Sequence, residues 1–106
     1  MRDPAADPIL IRFRAAVAAF YGDRLERVVL FGSQARGMAR ADSDYDIAVF
    51  LRDMPDRARE MDRLADIATD LLYDSGEVIH PMPYRAGSYD ERTPLMYEIR
   101  KDGVDL

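Results

Sequence analysis

The feature that most restricts the fold is a pair of short apolar runs, Arg27-Val28-Val29-Leu30-Phe31 and Tyr45 to Leu51. Runs of this length, rich in β-branched and aromatic residues, read as central strands buried on both faces. The first stops at Gly32, the second is opened by Asp44, and a polar, Gly-containing connection from Ser33 to Ser43 joins them. Strands of this kind need helices to cover them, and the flanking segments supply the pattern. Asp7-Pro8 is an N-cap and first helical residue, after which Ile9, Leu10, Phe13, Val17 and Phe20 recur at helical spacing until Gly22. Pro55 opens a second helix whose stripe is Met61, Leu64, Ala65, Ala68, Leu71 and Leu72, closed by Ser75-Gly76.

Glu77-Val78-Ile79-His80 follows as a third strand, with Pro81 and Pro83 confining its far end to an edge or an exit. Ser88 and Glu91 have capping-box spacing, Thr93-Pro94 offers a second start, and Leu95, Met96 and Ile99 carry a last helix to Gly103. The expected order is α-β-turn-β-α-β-α, a single domain over 1–106 in which helices pack on one small sheet. Tyr84, Tyr89 and Tyr97 read as core aromatics and receive no role.

Composition narrows the classes of function. A chain of 106 residues, 48% hydrophobic and 33% charged, can bury one modest core and is globular rather than disordered. No apolar run approaches the roughly 18–20 residues that cross a bilayer, and Arg12 and Arg14 interrupt the apolar N-terminal segment, unlike a secretory signal. A cytoplasmic location and no membrane partner are expected. The absence of cysteine excludes disulfides and thiolate metal sites. A net charge of -5 argues against charge-driven nucleic-acid binding. Lys101 is the only lysine, and the arginines, scattered over every segment, read as coding bias rather than a site.

The chemistry concentrates in Phe31-Gly32-Ser33-Gln34-Ala35-Arg36-Gly37 and Asp42-Ser43-Asp44-Tyr45-Asp46. A strand ending in Gly-Ser lets backbone approach a phosphate, with the amides of the turn and the Ser hydroxyl as donors. Residues two apart in a strand share a face, so Asp44 and Asp46 project together and repel each other unless a cation sits between them. Oxygen ligands that share a cation with substrate phosphates suit Mg²⁺. An EF-hand count through Asp42, Asp44, Asp46 and Asp53 fails, because Ile47 stands where that loop needs Gly.

A strand, Gly-Ser, ten intervening residues and then Asp-x-Asp opening a second strand resembles the DNA polymerase beta-like nucleotidyltransferase superfamily, in its minimal nucleotidyltransferase branch. The resemblance implies an α/β (α+β) palm-like fold with a small mixed sheet, and ATP and Mg²⁺ as substrate and cofactor. By position, Gly32 and Ser33 would contact the β- and γ-phosphates, Arg36 would lie near them, and Asp44 and Asp46 would hold the metal. A third carboxylate comes from a later strand in that superfamily; Glu77 is chosen for it, as metal ligand and catalytic group, with His80 as the other possible base.

Domains this small are similar to the antitoxin half of HEPN/MNT toxin–antitoxin pairs. That implies transfer of AMP to a tyrosine hydroxyl of a HEPN-type toxin. The alternatives are an antitoxin that neutralises its toxin by stoichiometric binding, and nucleotidyl transfer to a small molecule, for which the chain shows no enclosing second domain.

Overall fold

The computed structural model describes residues 4–35 and 44–106. Helix α1 (Pro8–Tyr21) starts where the N-cap signal places it, since the Asp7 carboxylate accepts a hydrogen bond from the Ile9 N–H at 3.1 Å. Its buried face is Ile9, Leu10, Phe13, Val17 and Tyr21. Phe20, expected in that stripe, is 50% exposed. Positions three and four beyond Val17 both fit a helical stripe, and Tyr21 takes the inward one while Arg63 stacks over Phe20 at 5.0 Å.

Strand β1 (Leu25–Phe31) begins two residues before the expected Arg27, and strand β2 (Tyr45–Leu51) has the expected bounds. Between them Gly32–Ala35 forms the one-turn helix α2. Helix α3 (Arg57–Ser75) starts after an Asp56 cap rather than at Pro55 and ends at Gly76 in the left-handed conformation. Its inward residues are Glu60, Leu64, Ala68 and Leu71. Met61, Ala65 and Leu72, expected in the stripe, are exposed. The seam is rotated because Glu60, only 4% exposed, is paired by Arg24 and Arg63 and so fills an inward position that hydrophobicity alone assigns elsewhere.

Strand β3 (Ile79–Arg85) runs through both prolines instead of stopping before them. At the first proposed helix start there is only a 3₁₀ turn (Ser88–Asp90), preceded by Gly87 and without a side-chain cap, so the Ser88–Glu91 capping box does not form; helix α4 (Pro94–Asp102) uses the second, with Thr93 capping the Met96 N–H. A two-residue strand β4 (Val104–Asp105) follows.

The sheet order is β3-β2-β1-β4. β1 pairs antiparallel with β2 and β4, and β2 pairs parallel with β3, with α3 as the crossover that parallel pairing requires. Alternation along the central strands splits the core. Val28, Leu30, Tyr45, Ile47, Val49 and Leu51 pack with α1 and α3, and Val29, Ala48 and Phe50 pack with Met96 and Ile99 of α4. A mixed sheet with helices on both faces is the expected fold class. Among the described residues no helix is long and apolar enough to cross a membrane.

Candidate active site

The site lies where β1 ends and β2 begins. Antiparallel register sets Phe31 opposite Asp46, so the turn after Phe31 leaves the sheet beside the Asp46 carboxylate. Gly32 makes that turn with φ +76°, and a methyl group on it would lie 2.6 Å from Asp46 Oδ2. Only glycine combines that dihedral with that approach. Ser33 follows in α2, which packs on β1, β2 and α4. Asp46 shares its sheet face with Ala48 and Phe50, the face that α4 covers farther along the strands.

Asp44 immediately precedes β2, and the parallel register of β2 and β3 sets His80 level with Asp46. His80 Nε2 is 3.3 Å from Asp44 Oδ2. Burial pushes the Asp46 carboxyl above its ordinary value; the neighbouring His80 opposes that shift and the charge of Asp44 adds to it. Two carboxylates and an imidazole therefore meet beside the glycine turn.

Glu77 is placed elsewhere. It precedes β3, donates its backbone N–H to Ser75 Oγ at 3.1 Å, and helps line a depression with Asp7, Pro8, Arg12 and Ser75 at the start of α1. Among the described residues, the charges acting on Asp46 are those of His80 and Asp44. The third strand starts two residues after Glu77, which is why His80 and not Glu77 comes level with the pair. Arg36, Gly37, Asp42 and Ser43 lie outside the described residues.

The donor set fits Mg²⁺. Among the described residues no group of three or more His, Cys, Asp or Glu side chains could hold a metal ion alone. Asp44 and Asp46 would leave most of the coordination sphere to phosphate oxygens and water, the usual division for this ion. Burial, with a smaller contribution from the charge of Asp44, disfavours the ionised Asp46 carboxyl, and a bound cation would relieve that.

The family described as Polymerase beta, Nucleotidyltransferase matches residues 18–106, which include the whole of this constellation. The chain belongs to that family. It is a nucleotidyltransferase. A Methanocaldococcus jannaschii protein provisionally named a protein adenylyltransferase is 31% identical over 100 residues, spanning 92% of this chain and 95% of that protein. A second protein of the same organism, with the same provisional name, is 34% identical over 83 residues, 77% of this chain and 56% of the other. Among solved structures, a toxin–antitoxin crystallised with AMP-PNP contains a chain similar at TM-score 0.62 and 20% identity, over 88% of this chain and 68% of that one. The structure of a Sulfolobus solfataricus protein provisionally named a nucleotidyltransferase matches at TM-score 0.60 and 20% identity, over 99% of this chain and 87% of that one. At these identities the structures share the fold.

Proposed function

We propose that this chain is a Mg²⁺-dependent protein adenylyltransferase that moves AMP from ATP to a tyrosine hydroxyl of a HEPN-type toxin, acting as its antitoxin. The observation that carries the reading is the approach of Gly32 to Asp46, which joins a phosphate cradle and an oxygen ligand pair at one end of two adjacent strands. The names of the relatives support a protein acceptor, and the toxin–antitoxin neighbours support a toxin in that role.

In this reading Gly32 and Ser33 donate hydrogen bonds to the β- and γ-phosphates, Arg36 adds a cation there, and Asp44 and Asp46 hold the metal. Mg²⁺, when bound, offsets charge on the leaving pyrophosphate and lowers the pKa of the attacking hydroxyl. The acceptor oxygen forms a bond to the α-phosphorus as the bond from that phosphorus to the bridging oxygen breaks, and pyrophosphate leaves with the electron pair. The hydroxyl proton passes to a base, for which His80, level with Asp46, replaces Glu77 as the group at hand.

Incubating the chain with labelled ATP, Mg²⁺ and a cognate HEPN-type toxin is expected to add one or more AMP units to the toxin. No label on the toxin, while the Asp44→Asn chain still neutralises it, would sink the proposal. The placement of Glu77 away from the pair favours one second reading, neutralisation by binding alone. A stoichiometric complex that forms without nucleotide and is indifferent to changes at Asp44 and Asp46 would support that one.

A further inference from the structure

Tyr45 stands between Asp44 and Asp46 in sequence, yet its ring lies on the other face of the sheet, within the core shared with α1 and α3. Its hydroxyl donates a hydrogen bond to Asp7 Oδ2 at 2.8 Å. The other oxygen of the same carboxylate, Oδ1, accepts from the Ile9 N–H at 3.1 Å and caps α1. Both residues are buried, Asp7 at 5% and Tyr45 at 2% exposure. The backbone of Tyr45 is held as well, since its N–H donates to the Val78 carbonyl at 2.9 Å. One residue at the head of β2 is thus fixed by its ring to α1 and by its amide to the lead-in of β3.

We propose that Asp7 and Tyr45 are positioning residues for the nucleotidyl-transfer site, holding the backbone that carries Asp44 and Asp46 at the spacing their shared cation requires. The inference rests on the reading of that pair as the metal ligands. Asp44 precedes the regular strand, so the sheet ladder alone does not fix it, and a rotation of the Tyr45 peptide units would move both carboxylates together. A buried hydroxyl–carboxylate bond behind the strand resists that rotation, much as outer-sphere hydrogen bonds orient metal ligands elsewhere. The cap of α1 is the fixed end of the tether. Ile9, Leu10 and Phe13 anchor that end in the core.

The test uses Mn²⁺ with AMP-PNP as the probe, read by calorimetric binding alongside transfer activity and thermal melting. Tyr45→Phe removes the hydroxyl and keeps the ring. Asp7→Ser keeps a helix cap but is too short to reach Tyr45, whereas Asp7→Asn can satisfy both partners through its two polar atoms. Tyr45→Phe and Asp7→Ser are each expected to weaken Mn²⁺·AMP-PNP binding about 10-fold. The double variant should be no worse than either single one, because both cut the same tether, and Asp7→Asn should restore binding.

A melting temperature that falls while the Mn²⁺·AMP-PNP affinity stays at the wild-type value would overturn the proposal, as would additive losses in the double variant. Asp46→Asn separates the two levels. If it leaves the affinity unchanged, the metal assignment itself fails and the tether with it; if it abolishes binding while Tyr45→Phe does nothing, only the tether fails.

Discussion

A methyl group on Gly32 would lie 2.6 Å from the Oδ2 of Asp46, so the end of one strand and the first inward carboxylate of the next are in van der Waals contact through the lack of a side chain. Gly32→Ala introduces both that clash and a left-handed residue at φ +76°. The left-handed conformation alone is expected to cost about 1–3 kcal/mol, and the displaced Asp46 to lower nucleotidyl transfer by about 100-fold, since small misplacements of reacting groups cost that much. Chemical denaturation and a labelled-AMP assay read the two effects separately. A variant that keeps wild-type transfer would show that the close approach is not part of the site.

The burial of Asp46 has a consequence for stability. Its folded pKa is raised, so folding favours the protonated form. The stability this supplies is present below the ordinary value of 3.8 and is lost as pH rises through the folded value. Asp46→Asn removes the penalty. Without divalent metal, the variant is therefore expected to melt at or above the wild-type temperature at neutral pH, with the difference shrinking toward acid, while losing transfer activity. Melting curves in EDTA at several pH values decide it, and a variant less stable than wild type at neutral pH would contradict the sign.

His80 and Glu77 exchange places between the reading of the sequence and the structure, and their variants should differ accordingly. His80→Ala removes the imidazole 3.3 Å from Asp44 and level with Asp46. Transfer is expected to fall by about 100-fold, the lower range for loss of a general base. Glu77→Ala, beside α1, should change transfer by no more than about twofold, as surface substitutions away from a site do. Equal losses from the two would show that His80 does not carry the role alone.

Much of this was legible in the chain because local signals agreed with the fold. The bounds of β2 and the caps at Asp7 and Thr93 follow from periodicity and capping chemistry that act over a few residues. What was not legible depends on distant partners. Glu60 sits in an apolar seam because Arg24, distant in sequence in the turn between α1 and β1, reaches it. His80 reaches the carboxylates because β3 pairs parallel with β2 in one register, and a one-residue slip would turn it away. Parity offered a hint: once β3 is taken as parallel to β2, His80 rather than Glu77 shares the phase of Asp46 when Tyr45 is set against Ile79.

Pro81 and Pro83 imply an edge strand or an exit from the sheet, and β3 is an edge strand whose pairing shows how it runs through them. Val78 accepts from Tyr45 N–H and Ala86 donates to the Leu51 carbonyl, so even-numbered residues of β3 direct their backbone groups toward β2. Pro81 and Pro83 fall on the alternate positions, where an N–H would point outward from the edge of the sheet, and no ladder hydrogen bond is lost. The outward Pro83 carbonyl is covered by Arg57 Nε at 3.1 Å. At Pro81 the edge therefore offers a second strand no donor, a recognised protection against edge-to-edge association; Pro83, less than 2% exposed, is itself covered. Pro81→Val restores the donor while keeping an apolar side chain. The variant is expected to remain folded by circular dichroism but to self-associate in sedimentation velocity at concentrations where wild type does not. If the two sediment alike across that range, the proline does not guard the edge.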